Sequence, residues 1–246
     1  MEYTLNQGAA GGVRLGLIVL QTDETLEFEA WQVLAGRDAA LFHTRIPNAH
    51  DVTPETLAAM ANEMPKTAAL LPEGLDAVGY GCTSGATVIG SDAVAGLVAR
   101  AHPKAAVTDP IRAVVAALHA LGAVKIAMVT PYVPSVTAPM RALLGRSGID
   151  VVSEISFSEG NDWRVARIDP ASTRAAMLGA AEAGQAAGAE AIFASCTNLQ
   201  TFSIIDGVEA ETGLPVVSSN QALLWHLLKV SGARAQGWGP GRLFTL

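Results

Sequence analysis

The sequence predicts an α/β protein made of two pseudo-symmetric Rossmann-like domains. Each is a four-stranded parallel sheet flanked by helices, and the active site lies in the cleft between them. Three observations predict this. Apolar β-branched runs alternate with helical patterns along the chain. The apolar half of the composition is mostly Ala, Val, Leu and Ile, with only 5% aromatics, which suits helices laid on a parallel sheet. The second half also repeats the order of the first.

Residues 1–12 read as a short, flexible start with no basic secretory leader. VRLGLIVL (13–20) is the first strand and 26–36 its helix, followed by a strand near 39–46. Thr53 and Pro54 open the next helix as N-cap and first-turn residue. LDAVGYG (75–81) is a strand, a helix runs from there to about Arg100, AAVTD (105–109) is a short strand, and Pro110 starts another helix.

The second half begins with a strand at 124–130, a helix at 134–144, a strand at 149–157 and a helix at 170–187. A strand at 189–195, a helix from about Thr197, a strand at 215–219 and a helix at 221–230 follow, and the apolar tail docks on the core. The expected division places 1–110 and about 222–246 in a first domain carrying Cys82, and 111–221 in a second carrying Cys196.

The repeat is most explicit at the cysteines. Leu75 to Thr87 matches Ala189 to Thr201: an acidic residue, a buried strand, then Cys-Thr-(Ser/Asn)-x-x-Thr at the mouth of a helix. Val107-Thr108-Asp109 echoes Val217-Ser218-Ser219, and Arg14 to Gln21 corresponds to Lys125 to Tyr132. Facing halves would bring both Cys-Thr turns to one ligand at the carboxyl ends of the strands.

A thiol at a strand-to-helix turn sits over unpaired backbone N–H groups and the positive end of a helix dipole, which favours the thiolate. Thr83, Ser84, Thr197 and Asn198 would hold a substrate carboxylate beside it. A thiolate and a thiol on opposite faces of a bound acid can exchange a proton at a carbon between them. Alternatively one can add to a double bond while the other supplies a proton. Neither route calls for a metal or an organic cofactor. The competing reading makes both cysteines small buried hydrophobes.

Composition excludes other classes. A net charge of −7 without a Lys/Arg cluster argues against nucleic acid, and the run 15–20 is too short to span a membrane, so a cytoplasmic protein is expected. Neither cysteine belongs to a disulfide scaffold. The five histidines lack metal-ligand spacing, His119 and His226 fall within apolar helices, and His50 lies nearest the expected cleft. Gly79-x-Gly81 fails the dinucleotide spacing, and Ser84 and Ser135 lack a nucleophile-elbow setting. Trp31, Trp163 and Trp225 are expected to fill core or interface space.

These motifs resemble the aspartate/glutamate racemase superfamily over nearly the whole chain. Within it they are most similar to the branch of maleate cis-trans isomerases, arylmalonate decarboxylases and ectoine-utilisation proteins. The resemblance implies two four-stranded α/β domains about a pseudo-twofold axis, a small carboxylate substrate and self-association. It makes Cys82 and Cys196 the catalytic pair. Tyr132, in Thr130-Pro131-Tyr132, becomes a contact for a substrate carboxylate, and Asn161, in Gly160-Asn161-Asp162, a substrate-binding residue.

Two departures matter. The decarboxylases keep only the second cysteine, so Cys82 argues for an isomerase or racemase. Maleate isomerases carry an asparagine in a segment resembling Asn-Thr-x-Leu-Glu, where this chain has Asp23-Glu24-Thr25-Leu26-Glu27. Asp23 either binds a cationic group of the substrate or caps the helix beginning near Thr25. A decarboxylase using Cys196 alone, and a small-acid binding module with inert thiols, are the remaining alternatives.

Overall fold

The computed structural model describes residues 1–6 and 11–246, so residues 7–10 of the expected flexible start lie outside the described residues. The first half runs β1 (Val13–Leu20), α1 (Leu26–Leu34), β2 (Ala39–Ile46), α2 (Pro54–Ala68), β3 (Ala77–Gly81), α3 (Thr83–Ile89), α4 (Ser91–Ala99), β4 (Ala106–Thr108) and α5 (Pro110–Ala120). The second runs β5 (Lys125–Thr130), α6 (Pro134–Arg146), β6 (Asp150–Ser156), α7 (Asp162–Val165), α8 (Pro170–Gln185), β7 (Ala191–Ala194), α9 (Ile205–Thr212), β8 (Val216–Ser218) and α10 (Ser219–Val230).

Two four-stranded sheets result, ordered β2-β1-β3-β4 and β6-β5-β7-β8, and every strand pair is parallel. The order is the same in both halves, as the repeat predicts. β1 is buried on both faces, with Leu15, Leu17, Ile18 and Val19 fully enclosed, which is why it reads as a continuous apolar run. Helix α10 returns to lie on β3 and β4 and packs along α5, while α3 meets α6. The halves therefore interlock through their helices.

Local chemistry sets the helix starts. Thr53 and Thr56 form a capping box ahead of Pro54. Asp109 and Asp169 cap α5 and α8, each followed by a first-turn proline. In the tail Leu243 and Phe244 are buried in a 3₁₀ turn, as its apolar composition predicts.

Four departures from expectation stand out, while other element ends shift by one or two residues, as at β3, β7 and α8. The first helix stops at Leu34 instead of 36. The helix expected up to Arg100 is two, broken at Gly90, whose φ of 90° no helix accommodates. Asn161 starts a one-turn helix, α7, that the sequence reading lacks. The fourth departure bears on function: no helix begins at Thr197, and residues 197–204 form irregular turns until α9 opens at Ile205. Among the described residues no helix is long and apolar enough to cross a membrane.

Candidate active site

The chemically capable residues stand just past carboxyl ends of central strands: Asp23 after β1, Cys82 after β3, Tyr132 after β5 and Cys196 after β7. The two halves present these ends to each other. Thr197 Oγ1 in the second half donates to the Gly81 carbonyl in the first at 3.3 Å. A single hydroxyl, Ser219 Oγ, accepts both Thr83 Oγ1 (2.8 Å) and the Cys196 N–H (3.1 Å), tying the two cysteine turns together. Cys82, Ser84, Tyr132, Asp162, Cys196 and Thr197 line one cavity.

Cys82 is the N-cap of α3, with extended backbone, and its Sγ accepts the Gly85 N–H at 3.2 Å. Gly85 is required there: a Cβ would stand 2.9 Å from Cys82 Sγ and 2.5 Å from Tyr80 Oη. Cys196 is held differently. Its φ is 135°, a conformation L-residues rarely adopt, and its Sγ accepts the Asn198 N–H at 3.3 Å. The chain beyond is pinned from the first half. Glu29 of α1, 3% exposed, takes the N–H groups of Thr201 (2.8 Å) and Phe202 (3.0 Å) and the Asn220 amide (2.7 Å). Its carboxylate thus satisfies donors that a helix from Thr197 would have bonded internally.

Two loops close over the cavity. Val52 N donates to the Gly160 carbonyl at 2.9 Å and Asp162 N to the His50 carbonyl at 3.0 Å, making an antiparallel bridge between Asp51 and Asn161. The enclosed volume is about 20 Å³, room for a water but not for a four-carbon acid. Parting the loops exchanges two backbone hydrogen bonds for water, at about 1–3 kcal/mol, so the closure is easily opened. Outside it lies a groove of about 440 Å³ lined in part by Thr22, Asp23, His50 and Trp163.

The sequence profile of the arylmalonate decarboxylase family matches residues 15–244. The chain belongs to this family. It is 28% identical to a maleate isomerase of Pseudomonas putida over 94% of this chain and 97% of the relative. It is 33% identical to an arylmalonate decarboxylase of Bordetella bronchiseptica over 54% of this chain and 55% of that one. Among solved structures, a Nocardia farcinica maleate cis-trans isomerase bound to TRIS superimposes with a TM-score of 0.81 at 25% identity, covering 94% of this chain and 97% of the other.

Within this member of the decarboxylase family, Cys82, Cys196, Ser84, Tyr132 and Thr197 meet at the cavity. The other four residues expected at the site do not line it. Thr83 is spent on Ser219. Asn198 is a strut, accepting the Glu24 N–H and donating to the carbonyls of Thr22 and Asp162. Asp23 caps α1, its Oδ1 taking the N–H groups of Thr25 and Leu26 at 2.8 Å, while its buried Oδ2 has no hydrogen-bond partner. Asn161 caps α7 through the Arg164 N–H, and its neighbour Asp162 faces the cavity instead. Capping consumes one side chain and hands the interior to the next, a signal carried by Asn161-Asp162-x-Arg164.

Electrostatics overturn one expectation. Both thiols are held protonated in this closed form. Burial pushes Cys82 up to about 12 against the Gly85 N–H, and pushes Cys196 well above the usual thiol range, with Asp162 adding to the effect on both. The helix dipole favours the Cys82 thiolate less than desolvation opposes it, and Cys196 has no helix beneath it. Burial also raises Asp23 to about 6 and Asp162 above the ordinary carboxylate range. His226 bonds Thr108 Oγ1 and His119 bonds the Ser147 carbonyl. Trp225 is buried, but Trp31 and Trp163 are at least half exposed, so neither fills the core, and Trp163 stacks under Arg167 at 3.9 Å. Among the described residues no His, Cys, Asp and Glu group could hold a metal.

Proposed function

We propose that this chain is a two-cysteine isomerase of the maleate isomerase or racemase kind, acting on a small carboxylated substrate. The observation that carries the reading is the shared cavity: both sulfurs line one enclosed space with Thr197 and with Tyr132 and Ser84, whose hydroxyls can hold a carboxylate. The strained backbone at Cys196 supports it, because strain of about 1–3 kcal/mol persists where the surroundings over-determine it, as at active sites. Substrate enters from the outer groove when the two loops part, and their closure excludes water.

Two chemistries fit. In racemisation one sulfur removes the proton from the substrate carbon as a thiolate, and the other returns a proton from its thiol to the opposite face. In cis-trans isomerisation a thiolate adds to the double bond, the adduct rotates about the new single bond, and expulsion of sulfur restores the alkene. The carboxylated substrates of this reading include amino acids and ectoine-derived acids as well as maleate. A second reading, decarboxylation through Cys196 alone, is favoured by the 33% identity to an arylmalonate decarboxylase.

Incubation in deuterated water with maleate, aryl malonates and amino acids separates these, since isomerisation, CO2 release and α-deuterium uptake each mark one reaction. Cys82→Ser leaves a lyase active and disables a two-cysteine isomerase. No turnover of any substrate, with both thiols inert when ligand is bound, would reduce the protein to a binding module.

A further inference from the structure

We infer that the substrate carries a protonated nitrogen as well as a carboxylate, and that Asp162 is the residue that selects it. The inference rests on the cavity being the substrate site and goes on to name the charge of what enters.

The charge lining the cavity is one-sided. The buried Asp162 and the exposed Asp51 line it, and among the described residues no Lys, Arg or His does. Asp23 stands just behind, interacting electrostatically with both Cys196 and Asp162 and itself only 2% exposed. Asp162 is 5% exposed and fixed in place. Its Oδ2 accepts from Thr22 Oγ1, which in turn accepts from Asn48 Nδ2 at 2.8 Å, and its carbonyl takes the Asn198 amide at 3.1 Å. Its N–H forms one of the two bonds that shut the loops, so closure itself brings the carboxylate over the substrate.

A dicarboxylate in this space would place two negative charges beside the buried Asp162, with Asp23 behind it; His50 acts on Asp162 from the outer groove and is not among the residues lining the cavity. Like charges a few ångströms apart repel far more strongly in a water-poor site than in bulk water. An ammonium beside Asp162 reverses the sign. It also offsets the field by which Asp162 adds to the effect of burial in opposing ionisation of both sulfurs.

The test is a charge ladder of four-carbon acids titrated calorimetrically against the wild-type protein: crotonate, maleate, L-2-aminobutyrate and L-2,4-diaminobutyrate. The amino acids are expected to bind at least tenfold more tightly than maleate and crotonate. Asp162→Asn should remove that preference and raise maleate affinity at least tenfold, with melting temperature measured alongside to confirm folding. Maleate binding the wild type as tightly as L-2-aminobutyrate would overturn the inference without any variant, and so would a ladder unchanged in a folded Asp162→Asn protein. Ammonium-selective binding with neither deuterium uptake nor isomerisation would keep the inference and sink the isomerase reading. Binding of none of the four acids would end both.

Discussion

The two cysteine turns start from one repeated sequence and are built on different supports. Cys82 is held by its own neighbourhood: it caps α3, and Gly85 leaves room for the sulfur to reach the N–H three residues on. Cys196 is held by distant parts of the chain, through Glu29 and Thr25 of the opposite half and the hydroxyl of Ser219 in its own. Leu199 occupies the place of Gly85, the helix is lost, and the backbone at Cys196 is strained instead. Duplication thus supplies two thiols, and divergence fixes one locally and makes the other depend on the halves being correctly joined.

The sharpest way to break this symmetry is at the sulfurs. Both the isomerase and the lyase readings require Cys196, so Cys196→Ser is expected to lower kcat by about a thousandfold or more, roughly 4 kcal/mol of barrier. Cys82→Ser should do the same only in a two-cysteine reaction. Steady-state rates on the substrate identified by deuterium uptake decide it. Retention of more than a tenth of the activity without Cys196 would remove that residue from the chemistry.

Next in size is Glu29→Ala. It strands the N–H groups of Thr201 and Phe202 in a buried space, at about 1–3 kcal/mol each where water cannot reach, so a loss of roughly 3 kcal/mol in urea unfolding is expected. Because only the Cys196 turn leans on Glu29, alkylation mapped by mass spectrometry should show Cys196 newly reactive and Cys82 unchanged. The carboxyl also titrates usefully. Burial raises it from 4.5 to about 7, so the folded state holds the proton more tightly than the unfolded chain. Stability from this group is therefore full below about pH 4.5 and is lost as pH rises through 7, by up to about 3 kcal/mol. Glu29→Gln should flatten that slope. A wild-type protein equally stable at pH 5 and pH 7.5 would contradict the burial argument.

The sequence made the succession of strands and helices, the parallel sheets and the paired cysteines legible because strands and their duplication leave a pattern of residue types in register. It did not reveal how each turn is supported. The helix expected after Thr197 fails because of Glu29, more than 160 residues earlier in the chain, and no local pattern encodes that partner. Asp162 escaped for a subtler reason. Asn161 looks like the ligand-binding residue, yet its side chain is consumed as the cap of α7, and the residue that reaches the cavity is the next one. Side chains that support backbone and side chains that face ligand are drawn from the same polar alphabet.

Gly85→Ala probes the local support alone. The added methyl meets Tyr80 Oη and Cys82 Sγ within the buried turn, and overpacking of this kind costs about 2 kcal/mol. The melting temperature should fall while reactivity at Cys196 stays as it was, the mirror image of Glu29→Ala. Disturbance of both cysteines equally would mean that the shared Ser219 hydroxyl couples the turns more strongly than their separate supports hold them apart.

The smallest effect separates the two readings of Asp23. Its Oδ1 caps α1, and asparagine caps a helix about as well as aspartate, so Asp23→Asn should change stability by less than about 1 kcal/mol. In the ligand-free form the buried carboxylate repels Cys196 and Asp162. Removing its charge should therefore lower the Cys196 thiol pKa slightly, seen as faster alkylation at pH 9, and leave Cys82 alone. If instead Asp23→Asn abolished binding of L-2-aminobutyrate as completely as Asp162→Asn, selection of the ammonium would belong to both carboxylates. The first-half strand end would then take part in recognition as directly as the loop that closes over it.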